Sequence, residues 1–252
     1  MSELGEESLW APDVCVVGFG PTGVKTVQRI ETSTSAQIYT GSEPTNVEAS
    51  DFLFLCGDLS DPGVSDQVSA LIEDRKGVCT LFFADGCTDE PEIFVEDINL
   101  LCPVPLAGEK ERYLISSTIA DLFECMLKPT IHELGKGEIA VTAGEHRVAE
   151  LCIDHLGNTQ QLYDLTPGIQ TSSIDAILMY FCYDGNYPVA WVSTKVENYD
   201  IPTNTSFFYD PRTHNRYQDR GHIKRIITSK SSREYRAKIL KDENIPRTTA
   251  EQ

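Results

Sequence analysis

The sequence predicts an α/β protein in which a largely parallel sheet carries helices on both faces. The first observation is a β-branched run, Val14–Val17, followed by the glycine-rich segment 18–23. The second is a pair of continuous apolar runs, 52–56 and 78–83, typical of strands buried on both faces of a parallel sheet. Because a helical pattern separates these runs, the order of strand, helix and strand predicts parallel pairing with right-handed crossovers.

Helix signals fill the gaps between these strands. Apolar residues at helical spacing follow the glycine-rich segment as far as Ile30, which predicts a first helix. Before the second helix, Ser60 or Asp61 is suited to cap the N-terminus, with Pro62 in the first turn. The apolar face of that helix consists of Val64, Val68, Leu71 and Ile72.

A longer helix is predicted from Leu114 to Leu127, because apolar residues recur there at i, i+4 and i+8. Pro129 limits its C-terminal end. We expect this helix to be amphipathic. Two weaker segments, 139–141 and 148–153, fit a strand or a helix equally well.

The last third of the chain changes to short strand-like segments separated by turn residues. Segments 177–183 and 189–194 flank Asp184-Gly-Asn186, which predicts a β-hairpin. Segments 207–209 and 216–217 predict another. We therefore expect a smaller C-terminal region rich in antiparallel strands.

The glycine-rich segment Gly18-Phe-Gly-Pro-Thr-Gly23 is the strongest functional signal in the chain. A turn of this kind between strand and helix lets the backbone approach a phosphate and directs free N–H groups of the helix N-terminus towards it. It predicts a Rossmann-like fold that binds a nucleotide. Glycine in such turns also has a purely steric explanation, so both interpretations stay open.

Three regions follow from these patterns. We expect residues 1–130 to form a Rossmann-like nucleotide-binding domain and residues 131–220 a smaller α+β domain. Residues 221–252, where charge rises and apolar content falls, are expected to form a basic C-terminal tail.

Charge is distributed unevenly along the 252 residues, whose formal net charge is −18. Residues 1–200 carry 10 Lys and Arg against 33 Asp and Glu, a net charge of −23, whereas residues 201–252 carry 11 against 6, a net charge of +5. An acidic body would repel a phosphate backbone, so a nucleic acid partner is not expected. The sequence also contains no transmembrane segment and no signal peptide, which predicts a cytoplasmic protein.

Eight cysteines occur without a C-x-x-C pair. Cys15, Cys56, Cys79 and Cys182 lie in apolar runs, where a free thiol behaves as a small hydrophobic group. We expect reduced structural cysteines and no metal site, since the spacing of the histidines also matches no recognised metal motif.

Several segments, in order along the chain, resemble the tubulin/FtsZ family. The opening strand, glycine-rich turn and helix are similar to that family's first nucleotide loop. The next buried run, Ala49–Gly57, is similar to the strand that precedes its signature phosphate loop. The segments that carry the resemblance are Val17–Ile30, Ala49–Gly57, Gly57–Ile72 with Val78–Phe83, Pro103–Arg112 with the helix to Leu127, and Thr171–Phe181.

The resemblance implies a guanine nucleotide, GTP or GDP, as cofactor, and self-association or contact with other proteins. It also implies that certain positions face the phosphates; these are Gly18, Gly20, Thr22, Gly23, Gly57 and Gly63.

The chain departs from the family pattern in its second loop. Asp58-Leu-Ser-Asp-Pro-Gly63 replaces the family's Gly-Gly-Gly-Thr-Gly-Thr-Gly loop and introduces two carboxylates where phosphates would lie. These carboxylates repel a nucleotide unless a divalent ion intervenes. The stretch Val141–His146 lacks the family's acidic hydrolysis pattern, and Glu145 is its one remnant. We therefore expect weak or absent nucleotide binding, little or no GTP hydrolysis, and a role in assembly or its regulation.

Two alternatives remain open from the residues. The G-x-G-x-x-G spacing also fits an NAD(P)-binding Rossmann oxidoreductase, with Glu43 as the acidic residue that follows the second strand. A third reading is a non-catalytic protein–protein adaptor with a dead nucleotide site.

Overall fold

The computed structural model describes residues 13–30, 37–40, 50–58, 61–75, 78–85, 98–104, 109–127, 135–144, 147–156, 162–164, 174–183, 203–213 and 221–230. The helices in these ranges are α1 (Gly20–Val27), α2 (Pro62–Asp74), α3 (Glu109–Leu127) and α4 (Lys136–Ala143). The strands are β1 (Val14–Gly18), β2 (Gln37–Thr40), β3 (Phe52–Asp58), β4 (Cys79–Asp85), β5 (Leu100–Val104), β6 (Arg147–Leu156), β7 (Leu162–Asp164), β8 (Ile174–Tyr183), β9 (Ser206–Thr213) and β10 (Gly221–Lys230).

The described strands form one sheet in the order β2-β1-β3-β4-β5-β6-β10-β8-β9, with β7 paired to β6. Strands β1 to β5 run parallel to their neighbours, and β5 also pairs in parallel with the first residues of β6. Strand β10 is antiparallel to both β6 and β8, whereas β9 is parallel to β8. The predicted fold class, a largely parallel sheet plus a C-terminal region with antiparallel pairs, is confirmed.

Side chains of the parallel strands alternate between two apolar cores, as period-2 geometry requires. Val14 and Val16 of β1 enter a core shared with α1, α3 and α4. Cys15 and Val17 enter the core on the opposite face, which α2 covers. The first two helices therefore lie on opposite faces of the sheet.

Helix α3 confirms the predicted long helix but differs from it in burial. Every residue from 115 to 126 is buried, and Asp121 and Glu124 are only 4% exposed. This part of the helix is therefore enclosed on all sides, which its helical repeat alone did not indicate. None of the described helices is long and apolar enough to cross a membrane.

The C-terminal half differs from the sequence expectation in several places. The two ambiguous segments form helix α4 and strand β6. The predicted hairpin partners, 189–194 and 216–217, lie outside the described residues. Residues 221–230, expected to open a charged tail, form strand β10 inside the sheet. Charged residues interrupt the apolar alternation of this strand, which hides its pattern in the sequence.

Candidate functional site

The strand order places a topological switch point between β1 and β3. From β1 the chain crosses through α1 to β2 on one side, and from β3 it crosses through α2 to β4 on the other. The turns after β1 and β3 therefore flank a crevice at the carboxyl ends of the parallel strands. Ligands of open α/β sheets bind in crevices of this type.

The first loop, residues 18–23, joins β1 to α1 in a tight turn. Phe19 is the N-cap of α1, and its N–H donates to the Cys56 carbonyl at 2.8 Å, so the first loop is fastened to β3. Gly20 has a φ of +63°, a conformation that favours glycine. These contacts fix where α1 begins.

Two glycines of this loop are required by close packing. A Cβ on Gly18 would lie 2.5 Å from the Gly23 carbonyl oxygen. A Cβ on Gly23 would lie 2.1 Å from the Cys56 carbonyl oxygen of β3. The steric interpretation of the glycine pattern therefore accounts for both positions, whether or not a ligand binds.

The N-terminus of α1 has free hydrogen-bond donors. Phe19 provides no side-chain cap, and its carbonyl accepts only the Gly23 N–H, at 3.2 Å, among the first-turn amides. Pro21 has no N–H, and the Gly20 and Thr22 N–H groups have no acceptor within the described part of the chain. The first turn contains no acidic residue. Free amides and the positive end of the helix dipole together favour an anion here.

The N-terminus of α2 is closed by its own residues. The Asp61 Oδ1 accepts the Gly63 N–H at 2.9 Å, and Pro62 supplies no donor. The Val64 and Ser65 N–H groups donate to the Asp61 carbonyl at 3.0 and 3.1 Å. Asp61 is thus the N-cap that the sequence offered as one of two candidates, and its carboxylate holds the amide of Gly63.

Val64 connects the two loops, a contact that no sequence pattern indicated. Its side chain is 3% exposed. Its two γ-methyl groups lie 2.9 Å from a Cβ built on Gly20 and 3.0 Å from one built on Gly57. A Cβ on Gly57 would also lie 3.2 Å from the Phe19 Cβ. A side chain at position 20 or 57 would crowd Val64, so glycine at both positions lets the two loops lie close to this apolar side chain.

The crevice carries negative charge on the α2 side. Asp61 is exposed and Asp58 is half-buried, and the backbone of Asp58 is in register with Asp85 at the end of β4. Neither of the segments 18–23 and 57–64 contains Lys or Arg. Among the side chains that the structure describes, no group of three or more His, Cys, Asp or Glu is arranged to hold a metal ion.

The described cysteines behave as structural residues. Burial raises the pKa of the Cys15 and Cys79 thiols to about 12, the nearby Arg75 guanidinium opposing this only partly at Cys15. Protonated, buried thiols are poor nucleophiles. Two residues weighed for chemistry in the sequence, Glu43 and Glu145, lie outside the described residues.

The strand order, the switch-point crevice and the glycine loop define a Rossmann-like α/β fold. No protein-family model and no curated protein matches this sequence. Solved structures do match it over most of their length. The FtsZ dimer of M. jannaschii, crystallised empty, has a TM-score of 0.60 at 11% identity, with 86% of this chain and 88% of that chain covered.

Two further structures agree. CetZ1 from Haloferax volcanii, a GDP-bound monomer, has a TM-score of 0.61 at 10% identity, covering 91% of this chain and 97% of that one. TubZ of Bacillus thuringiensis serovar israelensis, in GDP-form protofilaments, has a TM-score of 0.61 at 8% identity, covering 92% and 88%. The chain therefore has the tubulin/FtsZ-like fold, as its resemblance to that family predicted.

Proposed function

We propose that this protein is a divergent tubulin/FtsZ-like protein that binds GDP or GTP weakly and acts in assembly or its regulation, with little or no GTP hydrolysis. The phosphates lie against the first loop, where Gly18, Gly20, Thr22 and Gly23 bring the backbone close. Gly57 and Gly63 line the other side of the crevice.

The observation that carries this proposal is the uncapped N-terminus of α1 at the switch point of the sheet. Its Gly20 and Thr22 amides have no acceptor within the described residues, and no carboxylate lies in the first turn. Structures of the same fold support a guanine nucleotide: CetZ1 is described with GDP, and CetZ2 from Haloferax volcanii as a GTPγS-bound protofilament. Protofilaments of CetZ2 and TubZ support self-association.

Weak affinity follows from the charge of the second loop. Asp58 and Asp61 place two carboxylates in the second loop, and segments 18–23 and 57–64 contain no Lys or Arg. Little hydrolysis follows from the sequence of Val141–His146, which lacks the family's acidic pattern. The nucleotide would then support assembly without being efficiently turned over.

A matched pair of substitutions tests nucleotide binding at α1. Thr22 is in the first turn and half-exposed. Thr22→Asp places a carboxylate at the helix N-terminus, which stabilises a helix but repels phosphate. Thr22→Asn introduces a side chain of nearly the same shape as aspartate but without its charge. We expect calorimetric titration with GDP to show binding for the wild type and Thr22→Asn and a loss of at least about tenfold for Thr22→Asp.

Equal affinities for the two variants would contradict the proposed site. The same titration with NAD and NADP tests the oxidoreductase alternative, which requires binding of those nucleotides and none of GDP. Sedimentation of the protein with GDP, with GTP and without nucleotide tests assembly. Association that is the same under all three conditions, with no nucleotide bound, would support the adaptor, which the self-capped second loop favours.

A further inference from the structure

The two helices beside the crevice present different N-termini to a ligand lying between them. At α1, amides are free and the first turn is uncharged. At α2, the Asp61 carboxylate accepts the Gly63 N–H at 2.9 Å, and the Asp61 carbonyl accepts the next two amides. The crevice therefore has one side that accepts an anion and one side that already contains one.

We infer that Asp61 is a specificity-determining residue that selects against added phosphate charge, so that the crevice binds a nucleoside diphosphate at least as tightly as the triphosphate. The carboxylate occupies the anion position of α2 and supplies a fixed negative charge facing the ligand. This inference rests on the proposed nucleotide binding at α1. It adds a preference for fewer phosphate charges, which nucleotide binding at α1 does not by itself imply.

The packing between the loops supports this role. Val64, in the turn that Asp61 caps, contacts the positions of both Gly20 and Gly57 through its methyl groups. Because Val64 is buried, moving the first turn of α2 away from the first loop would expose its methyl groups. The first turn of α2, whose N-cap is Asp61, is therefore held against the loop that precedes α1.

In the first turn of α2, which the structure describes, no backbone N–H is left to offset the Asp61 charge. Pro62 has no N–H, and the amides of Gly63, Val64 and Ser65 all donate to Asp61. A phosphate entering this side would have to displace the carboxylate from Gly63 while lying beside it. In a partly hydrated crevice, repulsion between Asp61 and each added phosphate charge is expected to lower affinity by about fivefold.

Asp61→Asn tests the inference because asparagine caps a helix as well as aspartate but carries no charge. Affinities for GMP, GDP and GTP are measured by calorimetry without magnesium. The wild type is expected to bind GTP no more tightly than GDP. In Asp61→Asn the ratio of GTP to GDP affinity is expected to rise about fivefold.

Asp66→Asn is the matched control, since Asp66 is an exposed residue of the same helix, one turn further from the crevice. It should leave the ratio within about twofold of the wild type. A wild-type protein that prefers GTP tenfold, or a ratio that changes equally in both variants, overturns the inference while leaving nucleotide binding intact. Binding of GTP by Asp61→Asn alone would overturn the inference, because the native crevice would then bind neither the diphosphate nor the triphosphate. Absence of binding in every variant overturns both.

Discussion

Gly23 is the residue at which α1 comes closest to the sheet. Its position allows the helix backbone to approach the Cys56 carbonyl of β3, where a methyl group would lie 2.1 Å from the oxygen. Real Cβ atoms do not come so close, so a side chain at this position would force the helix away from the strand. The conformation of the first loop therefore depends on the close packing of α1 against β3.

We predict that Gly23→Ala destabilises the protein by at least about 3 kcal/mol or prevents folding, because the backbone must shift to relieve the overlap. Gly137→Ala is the control, since Gly137 lies in α4 with nothing within 4 Å of its added Cβ. Alanine there is expected to stabilise the protein by up to about 1 kcal/mol. Urea denaturation measures both, and equal effects would refute the steric role of Gly23.

The glycine spacing in the sequence was sufficient to predict a strand, a turn and a helix. It did not separate the roles of the glycines, because the partners of Gly20 and Gly23 are Val64 and Cys56, more than thirty residues away. Asp61 was one of the two predicted N-caps of α2, since this capping depends on the local pattern of Asp, Pro and Gly. Contacts within one turn were predictable, and contacts between turns were not.

At the scale of elements, Asn99 joins three parts of the fold at the edge opposite the crevice. Its Oδ1 accepts the Thr80 N–H of β4 at 2.8 Å, and its Nδ2 donates to the Gly144 carbonyl after α4 at 2.9 Å. Its own carbonyl accepts the Arg147 N–H at 2.9 Å. The Arg147 Nη1 in turn donates to the Val141 carbonyl at 2.7 Å and so caps α4.

We predict that Asn99→Ala lowers the free energy of unfolding by about 2–3 kcal/mol, because it removes two hydrogen bonds and leaves the N–H of buried Thr80 without its acceptor. Asn99→Asp keeps an acceptor for Thr80 but sets a carboxylate oxygen against the Gly144 carbonyl oxygen, so we expect it to destabilise the protein as well. Thermal and urea unfolding provide the measurement. A change below about 0.5 kcal/mol in Asn99→Ala would show that water replaces both bonds.

The helices α2 and α3 were predictable because each has a strong helical repeat and a proline at one boundary. The enclosure of α3 was not, since it depends on packing from distant parts of the chain. Strand β10 was missed because Lys224 and Arg225 interrupt its apolar pattern, and propensity does not indicate pairing with strands nearly forty residues or more away.

At the scale of the whole molecule, β10 connects β6 to β8. Ile226 is 2% exposed and lies in register with Leu151 on one side and Leu178 on the other. The neighbouring Ile227 is only half-buried. The late segment of the chain therefore completes an apolar row across three strands.

We predict that Ile226→Ala costs about 2–4 kcal/mol, whereas Ile227→Ala costs less, in proportion to its smaller burial. Hydrogen exchange in β1 and β3 shows how far the effect extends. An equal loss of protection there indicates one cooperative unit, and a loss confined to β6, β8 and β9 indicates that regions 1–130 and 131–220 unfold separately.

The position of β10 also sets an order for biosynthesis. Among the described strands, β8 pairs only with β9 and β10, both of which leave the ribosome after it. The parallel strands β1, β3 and β4 have their neighbours early, but β8 must wait for about forty more residues to be made. Until β10 is made, β8 has only β9 as a neighbour and is not joined to β6 and the parallel strands, so a nascent chain stalled before residue 221 would be a natural substrate for a chaperone.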